Sequence, residues 1–145
     1  MAEQTSGSTT IQATPADVMA VLTDFDAYPA WAGIKKVEVR KKDPKGRGSE
    51  VHMEVSQMGF EAKYTLAYSY RDGGMSWTTK DASGAVKEIV GEYELEPEGA
   101  GTTTVTYHMS IEPAVKLPGF IKKQVEKQIV NTALSGLKKR VESLA

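Results

Sequence analysis

The residues of this chain best suited to chemistry are hydroxyls rather than charged groups. Tyr64, Tyr68, Tyr93 and Tyr107 each fall on an alternating apolar/polar run, at the parity shared by the apolar residues. A tyrosine buried in this way needs a partner for its hydroxyl, and it can serve a substrate as hydrogen-bond donor or general acid. A cyclisation or dehydration asks little more of a protein than shape and one or two such groups. His52 and His108 fall on the opposite parity, beside Glu54 and Thr106, and read as surface histidines. Glu88, Glu92 and Glu94 form a solvated strand face, and Asp24 and Asp26 flank Phe25 as turn-capping acids. No pair of His or carboxylates has metal-ligand spacing, and the chain has 0 Cys, so neither a thiolate zinc site nor a Cys nucleophile is expected. There is no G-x-S-x-G, P-loop, H-E-x-x-H or Rossmann glycine pattern. No catalytic residue, metal or cofactor is assigned.

The elements that must position these tyrosines are legible from periodicity. Thr14-Pro15-Ala16-Asp17 reads as an N-cap, a Pro at the first helical position and an acid in the first turn. The helix PADVMAVLTD follows, preceded by a first strand at GSTTIQA. The loop AYPAWAG then gives way to period-two alternation through Val37 and Val39; Val51, Met53 and Val55; Phe60 to Tyr70; Met75, Trp77 and Thr79; Ile89 to Leu95; and Val105 to Ile111. Short turns at DPKGRG, Met58-Gly59, Asp72-Gly73, DASGA and PEGAG join these six strands into an antiparallel meander with one buried face. Pro118-Gly119 opens a helix to about Leu144, with Leu117, Ile121, Val125, Ile129, Ala133, Leu137 and Val141 as its apolar stripe and Gly136 permitting a bend. The fold class is α+β: a strongly curved antiparallel sheet gripping one long C-terminal helix, with two short helices after the first strand, in a single domain over residues 1–145.

The inward set comprises Met53, Val55, Phe60, Tyr64, Leu66, Tyr68, Met75, Trp77, Ile89, Tyr93, Val105, Tyr107 and Met109. Tyrosines and adaptable methionines take the place of dense aliphatic packing, and Arg and His are missing. Apolar walls with sparse hydroxyl and amide groups are what small-molecule pockets show. The helix adds Gln124, Gln128, Asn131, Thr132 and Ser135 within about 100° of one another. Tyr28-Pro29-Ala30-Trp31 reads as a lid, with Pro29 stiffening the loop and Trp31 supplying the apolar surface. The expected ligand-binding residues are therefore Tyr28, Trp31, Met53, Tyr64, Tyr68, Trp77, Tyr93, Tyr107, Met109, Gln124 and Gln128.

The totals bound the function. Hydrophobic residues make up 40% and charged residues 26% of 145, with a formal net charge of −1. Residues 115–145 hold seven Lys/Arg and two Glu, a net of +5, so the remainder, with 11 basic and 17 acidic residues, carries −6. The basic residues lack interleaved aromatics, which argues against nucleic acid. Weak contact with an anionic membrane through Lys122, Lys123, Lys127, Lys138, Lys139 and Arg140 is a possible partner role. No apolar run of membrane-spanning length and no signal-like N-terminus is found, which with the lack of Cys points to the cytoplasm.

The stretches DFDAYPAWAGIKKVEV, YTLAYSY with MSWTT, GEYELEPEGAGTTTVTY and LPGFIKKQVEKQIVNTALSGLKKRVE span nearly the whole chain. In their order they resemble the helix-grip fold of the START/Bet v 1-like (SRPBCC) superfamily, and within it the bacterial polyketide cyclase/dehydrase group. The resemblance implies a cavity between sheet and helix for a hydrophobic, often ring-containing ligand, and carries over no family-wide catalytic residue. The leading expectation is binding or transport of a lipid, isoprenoid or polyketide-like ring compound. The alternatives are a polyketide cyclase/dehydratase enzyme and a membrane- or partner-docking protein using the basic helix.

Overall fold

The structure, a computed structural model, describes residues 4–57, 60–99 and 101–144. The turn assigned to Met58-Gly59 and the side chain of Phe60 lie outside the described residues. Strand β1 (Thr5–Ile11) leads to helix α1 (Pro15–Thr23), a 3-10 turn (Phe25–Ala27) and a four-residue helix α2 (Tyr28–Trp31). Strands β2 (Lys36–Lys42), β3 (Gly48–Gln57), β4 (Phe60–Arg71), β5 (Gly74–Gly84), β6 (Val86–Pro97) and β7 (Thr103–Pro113) follow, and α3 (Gly119–Leu144) closes the chain. The seven strands form one antiparallel sheet in the order β1-β7-β6-β5-β4-β3-β2, which brings the first strand beside the last. This is the expected helix-grip architecture.

Local chemistry sets the boundaries. The Thr14 side chain accepts from the Asp17 N–H at 3.2 Å, and Pro15 occupies the first helical position. The first strand starts and ends two residues earlier than expected, because Ile11 is the last residue paired with β7. Strand β5 runs past the expected DASGA turn. A bulge sets Thr65 opposite Asp81 but Leu66 opposite Thr79, so Lys80 is the extra residue. The bulge returns Ala82 to the inner face, opposite Tyr64, and bends the strand.

The ladder between β5 and β6 runs from Gly74 and Glu94 to Trp77 and Gly91. Beyond it the Thr79 hydroxyl donates to Ile89 O and accepts from Ile89 N–H, both at 2.7 Å. Gly91 opposes Trp77, and a Cβ there would lie 2.6 Å from the indole, so glycine makes the room for the ring.

Helix α3 departs from the expected stripe. Its buried residues are Glu126, Val130, Leu134, Leu137 and Val141. Their steps of four, four, three and four hold one face of a 3.6-residue helix, whereas a strict four-step row walks off it. Ile121, Val125, Ile129 and Ala133 are half-buried on the flank. Gly136 serves close approach rather than a bend: a Cβ there would lie 2.3 Å from the Trp31 carbonyl oxygen.

Candidate ligand-binding site

Sheet curvature and the offset of α3 leave a cavity of about 170 Å³ between them. The sheet contributes Met53, Tyr64, Tyr68, Trp77, Tyr93, Tyr107 and Met109, which lie across from one another in register: Met53 with Tyr64, Tyr68 with Trp77, and Tyr93 with Tyr107. Tyr28 and Trp31 of α2 close one side, and Ile129, Thr132 and Ala133 of α3 form the roof. Nine of the residues expected from sequence are thus brought together. Gln124 and Gln128 are not: both are exposed, and Gln124 lines a separate shallow groove with Gln4, Thr5 and Ser6. Of the polar helix row only Thr132 reaches the cavity. The reason is the rotation of α3, whose inner face starts at Glu126 and turns the glutamines outward.

The aromatic rings form one connected belt. Trp31 meets Tyr28 at 4.9 Å between centroids, Tyr28 meets Phe25 at 5.0 Å, and Phe25 meets Tyr68 at 4.8 Å. Tyr68 continues to Trp77 at 5.6 Å, and Trp77 to Tyr93 and Tyr107 at 5.6 and 5.7 Å. Tilted and edge-on contacts of this kind fix ring orientation beyond what area burial provides.

The polar atoms of this belt divide into two groups. Tyr28 donates to Leu22 O at 2.5 Å, and Tyr70, under the Arg47 guanidinium, donates to Gly48 O at 2.6 Å. These two hydroxyls are structural. The hydroxyls of Tyr64, Tyr68, Tyr93 and Tyr107 make no hydrogen bond to any described residue, although each of these residues is at most 9% exposed. The indole N–H groups of Trp31 and Trp77 are buried with no partner among the described residues. A buried N–H left in this state costs about 1–3 kcal/mol, whereas the tyrosine hydroxyls face the cavity. Burial pushes the tyrosine pKa values of Tyr28, Tyr64, Tyr68, Tyr93 and Tyr107 well above the ordinary range, so all five remain protonated donors. Among the described residues the lining contains no Lys, Arg, His, Asp or Glu. The arrangement can therefore solvate acceptor oxygens on an uncharged apolar molecule.

Two charged features lie outside the cavity. Glu126, in α3, is fully buried yet satisfied: Thr5 Oγ1 donates to Oε1 at 2.7 Å, while Ile111 N–H and Lys122 Nζ donate to Oε2 at 2.7 and 2.9 Å. Burial opposes its charge, but Lys122, the Ile111 amide and the Thr5 hydroxyl together hold its pKa below the usual carboxylate range. The linear sequence gives this residue a single signal, Lys122 four positions before it. On the outer face, Glu92, Glu94 and His108 converge to within 4.8 Å across β6 and β7, a juxtaposition that linear spacing does not reveal. Arg71 already pairs with Glu92 at 2.8 Å, and Ser6 Oγ lies 2.5 Å from His108 Nδ1. His52, on the outer face, is mostly covered between Glu54 and Thr65, each at 3.2 Å.

The family model described as polyketide cyclase / dehydrase and lipid transport matches residues 3–142. The chain belongs to that family. Among solved structures, a START superfamily protein from Mycobacterium smegmatis superposes with a TM-score of 0.92 at 20% identity, covering 99% of this chain and 100% of that one. The Zhui aromatase/cyclase from Streptomyces sp. R1128 superposes with a TM-score of 0.72 at 14% identity, covering 96% and 93%. At these identities the likeness shows the shared START fold. A curated relative, an uncharacterised protein of Pseudomonas aeruginosa, is 33% identical over 57 residues, which are 39% of this chain and 28% of that protein. The polyketide cyclase / dehydrase and lipid transport family includes both catalysts and carriers by its own description, so the choice between them rests on the cavity.

Proposed function

We propose that this protein binds an uncharged, ring-containing hydrophobic molecule in the cavity between sheet and α3 and carries it unchanged. The observation behind this reading is the set of hydroxyls of Tyr64, Tyr68, Tyr93 and Tyr107, without partners among the described residues, in a largely apolar lining to which α3 adds Thr132. Carbonyl or ether oxygens on a ligand would accept from them in place of water. A carboxylate or phosphate would enter without a counter-charge, at a desolvation cost that apolar contacts do not offset. Size narrows the class further. An apolar cavity of about 150 Å³ accepts one benzene ring, so the present 170 Å³ suits a single substituted ring. A larger ring system requires the Trp31 wall or α3 to yield.

Native mass spectrometry on protein purified without detergent tests the reading. A bound neutral compound that extracts into organic solvent is expected. A fatty acid or other anion as the retained species, or failure to retain or take up any ring compound, overturns it.

Cyclase or dehydratase chemistry is the second reading, favoured by Tyr93 and Tyr107, whose rings lie 4.5 Å apart and present two donors to one region. Such a pair could steady a developing oxyanion. As proton donors they are disadvantaged, because burial raises their pKa values. Under this reading Tyr93→Phe abolishes turnover of a polyketide-like substrate while leaving its binding nearly intact.

A further inference from the structure

The segment joining β7 to α3 exposes apolar side chains that the fold has no use for. Val115 is 61% and Phe120 71% exposed, two of the three large exposed hydrophobic residues noted among the described ones. Single exposed apolar residues need no explanation. Here two lie within six positions, and the exposed charged residues from 115 to 127 have one sign. Lys116 precedes Phe120, and Lys123 and Lys127 follow it at helical positions i+3 and i+7, all exposed. Within residues 115–127 the one acid, Glu126, is buried and held by Lys122, Thr5 and Ile111, so it offers no negative charge to this face; the exposed Glu112 lies before the stretch, at the end of β7.

We propose that this face, residues 115–127, docks on an anionic lipid bilayer, with Val115 and Phe120 entering the headgroup region and Lys116, Lys123 and Lys127 meeting lipid phosphates and carboxylates. An aromatic and an aliphatic side chain flanked by lysines match that interface in polarity and in charge. The net of +5 over residues 115–145, set against −6 over the rest, orients the molecule with this end toward a negative surface. A second copy of the chain is a poorer occupant, because an isologous contact through Phe120 would bring the same three lysines face to face. Position adds a reason. Ala114 N–H donates to Ala85 O at 2.9 Å, next to Val86, which lines the cavity together with Ile111. The docked face thus borders one end of the cavity.

Vesicle co-sedimentation of the full chain tests this directly. Binding is expected to vesicles of phosphatidylcholine and phosphatidylserine at about three to one, but not to phosphatidylcholine alone. It should be lost at about 0.5 M salt, where the Debye length is about 4 Å. Phe120→Ser should weaken binding about tenfold, and Lys116→Glu, Lys123→Glu and Lys127→Glu together at least about a hundredfold. Lys139→Glu, about 28 Å further along α3, should leave binding within about twofold. All these side chains are exposed, and unchanged thermal melting separates lost docking from lost folding. Absence of binding to the anionic vesicles at low salt overturns the proposal. So does binding that survives Phe120→Ser and the triple reversal. A concentration-dependent dimer abolished by Phe120→Ser, with no vesicle binding, overturns it in favour of self-association.

Discussion

Tyr28 and Tyr93 are both buried tyrosines, yet their hydroxyls predict opposite behaviour. Tyr28→Phe removes the bond to Leu22 O and leaves that carbonyl without its side-chain donor, so a loss of about 1–2 kcal/mol in denaturant unfolding is expected. Tyr93→Phe removes a group that has no partner among the described residues, and the ligand-free protein should keep its stability to within about 0.5 kcal/mol or gain slightly. Comparable losses in both variants would mean that the Tyr93 hydroxyl is structural and would remove the basis of the binding proposal. Strand parity was enough to gather Tyr64, Tyr68, Trp77, Tyr93 and Tyr107 from the sequence, because side chains alternate with a period of two. Parity says nothing of hydroxyl partners, so Tyr28, satisfied within its own α1–α2 corner, could not be told apart from the cavity tyrosines. Ala82 and Val86 were missed for a related reason: the register shifts near Lys80 and Lys87 reset the parity that alternation assumes.

At the scale of elements, Glu126 ties α3 to both β1 and β7 through Thr5 and the Ile111 amide. Its folded pKa is depressed, so the carboxylate stabilises the fold above its ordinary titration range, near pH 4.3, and that contribution is lost as pH falls through the lower folded value. Acid unfolding should therefore steepen below about pH 4.3, and Glu126→Gln should flatten that limb. Glu126→Leu should cost about 2–3 kcal/mol at neutral pH, less than a wholly buried pair because Lys122 is 25% exposed and can turn to water. A Leu variant as stable as the parent would show that the clamp contributes little. The helix itself was plain from its length and its Pro-Gly start, but its rotation was not. Ile121 and Val125 look like core residues and Glu126 does not, whereas the tertiary contacts bury the acid and leave the aliphatics half-exposed. That choice turned Gln124 and Gln128 away from the cavity where the sequence had placed them.

Across the whole molecule, turn signals and uninterrupted alternation made the order of strands and the closing helix legible, and the sheet is antiparallel in the expected sense throughout. Pairing of β1 with β7 and the size of the cavity are products of long-range closure and curvature, which no local pattern carries. No described helix is long and apolar enough to cross a membrane. An uncharged lining whose donors have no partner among the described residues should select a neutral ring ligand. Calorimetric titration at pH 7 with a matched pair, p-cresol and p-toluate, tests it most directly, since the two differ chiefly in charge. Measurable binding of p-cresol is expected, weakened several-fold by Tyr93→Phe, and binding of p-toluate at least roughly a hundredfold weaker, because no cation among the described lining residues offsets its desolvation. Equal or tighter binding of p-toluate, or no binding of p-cresol, would contradict it.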